Sequence, residues 1–146
     1  MNKFTSVQDI ESLPSLVDQA LKFKANQFHP SAYAGKSVGL VFLNPSLRTR
    51  LSSLKAARNL GAEAVVLDIS KDGWALEFED GKVMDGNKAE HIKEAAAVMG
   101  RYFDVLGIRT FPGLTNRDED YAEELLNAFI KYAGVPDADS GQSLNQ

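Results

Sequence analysis

The stretch Ser37-Val38-Gly39-Leu40-Val41-Phe42-Leu43-Asn44-Pro45-Ser46-Leu47-Arg48-Thr49-Arg50 decides the fold. Its first half, Ser37 to Leu43, is apolar almost without interruption, and a strand with no polar alternation must be covered on both faces, as strands of parallel α/β sheets are. From Leu47 the period changes. Leu47, Leu51, Leu54 and Ala57 recur at helical spacing, and Gly61 stands where a helix would stop. The run from Ala62 to Ile69, with Val65, Val66, Leu67 and Ile69, is again a buried strand. Strand, helix and strand make a right-handed crossover unit, so the sheet is expected to be parallel.

Working outward, Leu13 to Asn26 carries Leu16, Val17, Ala20, Leu21 and Phe23 at helix-like spacing behind Ser12 as a cap. Pro30 and Gly35 then punctuate a loop. Downstream, Ser70 to Lys88 has mixed character, and a loop of that length in a compact domain tends to be functional. Glu90 to Tyr102 reads as a helix that Gly100 weakens without forbidding. Val105 to Thr110 is a third strand. After the Pro112-Gly113 turn and the acidic start at Asp118, Glu119 and Asp120, Tyr121 to Ala133 is a helix through Leu125, Leu126, Phe129 and Ile130 that ends at Gly134. Asp137 to Gln146 has almost nothing to bury and reads as a frayed tail. The expectation is an α/β three-layer sandwich, a central parallel sheet of about four strands flanked by helices, with residues 1–136 forming one domain and 137–146 a disordered or altered tail.

Composition narrows the function. A chain of 146 residues fits one compact domain or half of a two-domain enzyme. It has no cysteine, which excludes disulfide frameworks, thiol nucleophiles and Cys-ligated metals. A net charge of −4 argues against a nucleic-acid surface. With no signal-like amino terminus and no apolar run near the roughly 20 residues that span a bilayer, a soluble cytoplasmic protein is expected, without a membrane partner. Gly35-Lys36-Ser37 precedes a strand instead of following one, so it is no P-loop, and no Gly-x-Gly-x-x-Gly occurs, which disfavours a nucleotide-binding module. His29 and His91 lack a metal-binding pattern. Neither a cofactor nor a metal is expected.

In parallel α/β sheets ligands bind beyond the carboxyl ends of the strands, where helix amino termini aim free N–H groups. Ser46 to Arg50 and Arg109 both fall there. Ser46 or Asn44 can cap the helix, and the first-turn N–H groups of Leu47, Arg48 and Thr49 face one spot suited to a phosphate. Arg48 adds a forked cation, and the Ser46 and Thr49 hydroxyls add neutral donors. Arg48 and Arg50 stand about 200° apart on a helix, so Arg48 is assigned to the ligand and Arg50 to a structural ion pair. Basic residues at a helix amino terminus are unfavourable unless an anion or an acidic partner answers them. Trp74, in the long polar loop, suits a binding or interface surface better than a core. Asp85-Gly86 is most simply a turn.

Phe42 to Arg50 resembles the Ser-Thr-Arg-Thr-Arg carbamoyl-phosphate motif of the aspartate and ornithine transcarbamylases, with Leu47 at the usual second Thr. Trp74, the Val-Met-Asp-Gly stretch Val83 to Gly86, and Arg109-Thr110-Phe111 resemble the N-acylornithine branch, which uses N-acetyl- or N-succinylornithine. The likeness covers about Phe4 to Pro136. It implies transfer of a carbamoyl group from carbamoyl phosphate to the δ-amine of an N-acylornithine in arginine biosynthesis. Ser46, the Leu47 backbone, Arg48 and Thr49 would hold the phosphate, while Arg109, catalytic together with Arg48, would polarise the carbamoyl carbonyl. The resemblance also implies a homotrimer in which the loop bearing Trp74 reaches the neighbouring subunit's site. The family continues after Gly134-Val135-Pro136 with an apolar strand, an acidic residue, a His-Pro-x-Gln step and an amino-substrate domain. Asp137 to Gln146 does not match that continuation, so the second domain is expected to be absent and the isolated chain inactive. The alternative is a non-catalytic anion-binding α/β domain. The residue after Lys88, Pro in succinyl and Glu in acetyl enzymes, is Ala89 here, which leaves the acyl group open.

Overall fold

The computed structural model describes residues 4–69, 76–77, 90–110 and 124–133. A short 3-10 turn at Val7–Asp9, boxed by Ser6 and Asp9, leads into α1, Leu13–Lys24, whose cap Ser12 accepts from the Ser15 N–H. β1 (Ser37–Phe42), α2 (Leu47–Asn59) and β2 (Glu63–Asp68) follow as the expected unit. β3 (Leu76–Glu77) and β4 (Glu90–His91) are short; α3 (Ile92–Tyr102), β5 (Val105–Arg109) and α4 (Glu124–Tyr132) complete the described elements.

The main sheet is parallel in the order β2-β1-β5. About four strands were expected; among the described residues this sheet has three, close to that number, and β3 and β4 form a separate parallel pair. That pair corrects one expectation. Glu90 and His91 do not begin the helix but pair with Leu76 and Glu77, and the helix starts at Ile92, because the His91 ring accepts the Lys93 N–H at 3.2 Å and so caps it.

The central position of β1 explains its continuous apolarity. Val41 is fully buried in a cluster with Ile92, Ala95, Ala96 and Met99 of α3, Phe129 of α4 and Ala133 just after it. Leu40 and Phe42, at alternate positions, are buried outside that cluster. The chain moves from β1 out to β2 and back past β1 to β5, and right-handed crossovers in opposite directions put α2 and α3 on opposite faces. The parallel sheet is thus flanked by helices.

Gly100 has a packing reason to sit inside α3. A Cβ there would meet the Ala133 carbonyl oxygen at 1.6 Å, so the absent side chain is what lets the two segments touch backbone to backbone. α1 behaves differently. Its apolar residues Leu13, Leu16, Val17, Leu21 and Phe23 are all at least 36% exposed, so its stripe is amphipathic in sequence but uncovered among the described residues.

Candidate functional site

The register of the sheet aligns three residues at its carboxyl edge. Phe42, the last residue of β1, is the partner of Asp68 on one side and of Arg109 on the other. Acid, ring and base therefore form one row, and the ladder continues one step further through the Leu43 N–H to the Arg109 carbonyl at 3.0 Å and the Ile69 N–H to the Phe42 carbonyl at 3.0 Å. Immediately above this row the chain turns through Asn44 and Pro45 into α2.

Ser46 caps α2. Its Oγ accepts the Thr49 N–H at 3.4 Å and donates to Thr49 Oγ1 at 2.9 Å. Cap geometry thus uses the Thr49 N–H that was expected to face a ligand, and ties the two hydroxyls to each other. Among the described residues no partner engages the N–H groups of Leu47 and Arg48 or the Arg48 guanidinium. Leu47 has a side chain 72% exposed, which leaves its backbone as the group it offers.

The two arginines separate as their angular spacing predicts. Arg48 projects to solvent, whereas Arg50 turns inward, its Nη2 hydrogen-bonded and ion-paired to Asp68 Oδ2 and its Cζ 5.3 Å from the centroid of the Phe42 ring. Arg109 reaches the turn from the other side. Its Nη1 donates to the carbonyls of Asn44 at 3.1 Å and Pro45 at 3.2 Å. The loop between β1 and α2 is consequently gripped from both neighbouring strands.

Ser46, Leu47, Arg48, Thr49 and Arg109 are therefore brought together at one end of the sheet. Trp74, Val83 to Gly86 and Ala89 lie outside the described residues, as does the tail from Asp137. Asp68 escaped the sequence reading, although the need of Arg50 for an acidic partner was a signal that pointed to an acid at the end of a neighbouring strand. Among the described residues no group of three His, Cys, Asp or Glu could hold a metal, and no helix is long and apolar enough to cross a membrane.

The arrangement is suited to an anion: a helix amino terminus with two N–H groups and the Arg48 guanidinium unpartnered among the described residues, and the Arg109 guanidinium against the turn. The family described as aspartate/ornithine carbamoyltransferase, carbamoyl-P binding domain, matches residues 2–141. The N-succinylornithine carbamoyltransferase of Bacteroides thetaiotaomicron is 47% identical over 137 residues, covering 93% of this chain and 43% of that protein. The N-acetylornithine carbamoyltransferase of Xanthomonas campestris pv. campestris is 45% identical over 138 residues, covering 93% of this chain and 40% of its own. The crystal structure of an acetylornithine transcarbamylase complexed with acetylcitrulline superposes with a TM-score of 0.81 at 44% identity, over 93% of this chain and 41% of that one. A mutant N-acetyl-L-ornithine transcarbamylase complexed with carbamyl phosphate and N-succinyl-L-norvaline gives 0.83, at 44% identity and the same coverage. This chain thus spans less than half the length of these relatives.

Proposed function

Because the chain belongs to the family of carbamoyl-phosphate-binding domains of aspartate/ornithine carbamoyltransferases, we propose that it supplies the carbamoyl-phosphate site of an N-acylornithine carbamoyltransferase. The reaction moves the carbamoyl group to the δ-amine of N-succinyl- or N-acetyl-L-ornithine, in arginine biosynthesis, with no cofactor or metal. The amine nitrogen bonds to the carbamoyl carbon, the carbon–oxygen bond to phosphate breaks with its electron pair leaving on phosphate, and the nitrogen gives up a proton.

The observation that carries this reading is the unspent donor set at the start of α2. Among the described residues the N–H groups of Leu47 and Arg48 and the exposed Arg48 guanidinium have no partner, at the positive helix end that a phosphate would answer. The Ser46 and Thr49 hydroxyls, held together in the cap, are within the same turn. Arg109 enters from the adjacent strand, the direction from which a cation would reach the carbonyl beside that phosphate and stabilise its developing oxyanion. Two or three charge-assisted bonds at about 1.5–3 kcal/mol each, against an association cost of at least ~4 kcal/mol, give modest affinity. Trp74 completes the reading as a contact made in trans within a cytoplasmic homotrimer, which sedimentation of the purified chain would test.

Titration with carbamoyl phosphate and with inorganic phosphate tests the site directly. Both should bind, and Arg48→Ala should bind neither at the same concentrations. Absence of binding, or equal binding by the variant, would sink the proposal.

A further inference from the structure

Asp68 is 6% exposed, and a buried carboxylate at the end of a strand needs a reason. Its hydrogen-bonded partner Arg50 stands one residue beyond the cradle's last member, Thr49, and the Arg50 N–H closes the first α-helical hydrogen bond onto the carbonyl of the cap, Ser46, at 3.3 Å. Any rotation or slide of the first turn of α2 must move Arg50, and any movement of Arg50 must lengthen its bond to Asp68 or lift its guanidinium off the Phe42 ring.

The pair is poorly built for stability. Among the described residues Arg50 Nε is buried without a hydrogen-bond partner, and a buried ion pair that leaves a donor unsatisfied recovers little of its desolvation cost. Its geometry is better suited to fixing position. Asp68 and Arg109 are partners of the same residue, Phe42, on opposite sides of β1. One reaches the cradle through Arg50 at its helical end; the other holds the carbonyls of Asn44 and Pro45 at its turn end. The segment that carries the unspent N–H groups hangs between these two grips.

We propose that Asp68, acting through Arg50, is a positioning residue for phosphate binding, fixing the first turn of α2 so that the Leu47 and Arg48 N–H groups converge on one anion. This rests on the phosphate-cradle reading and assigns no ligand contact to Asp68.

The test is a titration of the full chain with inorganic phosphate, followed through the amide resonances of Leu47 and Arg48 at a temperature where circular dichroism shows every variant folded. Asp68→Asn and Arg50→Lys should each weaken binding about tenfold, the scale of one lost charge-assisted bond. Asp104→Asn, which removes the partner of Lys36 and of the Ser37 N–H at the opposite end of β1, should leave phosphate binding unchanged, whereas a merely structural loss would weaken binding in all three variants alike. Should Asp68→Asn not fold, Arg50→Met/Asp68→Leu removes both charges together, and it too should bind about tenfold more weakly. Asp68→Asn and Arg50→Lys that bind phosphate within about twofold of the wild type while folded, or an equal loss in Asp104→Asn, would overturn the inference. A wild-type chain that binds no phosphate would overturn the cradle reading itself, which separates the two failures.

Discussion

The two ends of β1 treat polar groups in opposite ways. At the amino end Asp104 takes Lys36 Nζ at 2.8 Å, the Ser37 N–H at 2.8 Å and the Ser37 hydroxyl at 3.0 Å, and returns its own N–H to Ser37 Oγ at 3.2 Å. Donors and acceptors there answer one another. The lysine hydrogen bond, then those of Ser37, hold the Asp104 carboxyl down from an ordinary 3.8 to about 2. At the carboxyl end two N–H groups and a guanidinium are left without protein partners among the described residues. Closed polar clusters hold a fold together, whereas open ones await a ligand, and in a parallel sheet the open end is the one the helix amino termini face.

The contrast can be broken by experiment. Arg48→Ala at the open end should carry the largest effect, a loss of about 2 kcal/mol of anion binding, or roughly 30-fold, read by calorimetric titration with carbamoyl phosphate. Ser46→Ala should cost about 1 kcal/mol of stability in urea unfolding through the lost cap, and weaken phosphate binding as well, since the cap and the cradle share a turn. The same Arg48→Ala protein, without ligand, should be more stable than the wild type by about 0.3–1 kcal/mol, because it removes a cation from the positive end of a helix. A decrease would mean that Arg48 has a structural partner and that the end is not open.

The smallest effect belongs to the closed end. Asp104 has a folded-state pKa below its ordinary value, so its contribution is fully present above about 3.8 and is lost as the pH falls to about 2. Asp104→Asn should flatten the fall in melting temperature over that window and leave phosphate affinity at neutral pH unchanged. An affinity change would show that the two ends are coupled through β1.

Much of this was legible in the residues. The continuous apolarity of Ser37 to Leu43 specified a central strand, and the change of period at Leu47 placed the helix start where the structure has it. Arg48 and Arg50 were separable by helical angle alone. What escaped depends on register across the sheet. Nothing local to Asp68 says that it is level with Phe42 and Arg109; that follows only once three strands are aligned, and the same alignment brings Arg109 under the carbonyls of Asn44 and Pro45. The helix of α1 was legible, whereas the exposure of its stripe was not, since periodicity reports that a face is apolar and not what covers it. Glu90-His91 was misread as helix because a two-residue parallel bridge is too short to impose a period of its own.

The touch between Gly100 and Ala133 bears on how this domain can be engineered. Helix propensity alone nominates Gly100→Ala as an easy gain of about 1 kcal/mol, and a library biased by such scores would sample it early. With a carbonyl oxygen 1.6 Å from the site of the new carbon, the smallest side chain would wedge the two segments apart. Selection for folded variants should return glycine there each time, marking a position where sequence tolerance is set by a neighbour thirty-three residues away and not by the helix that contains it.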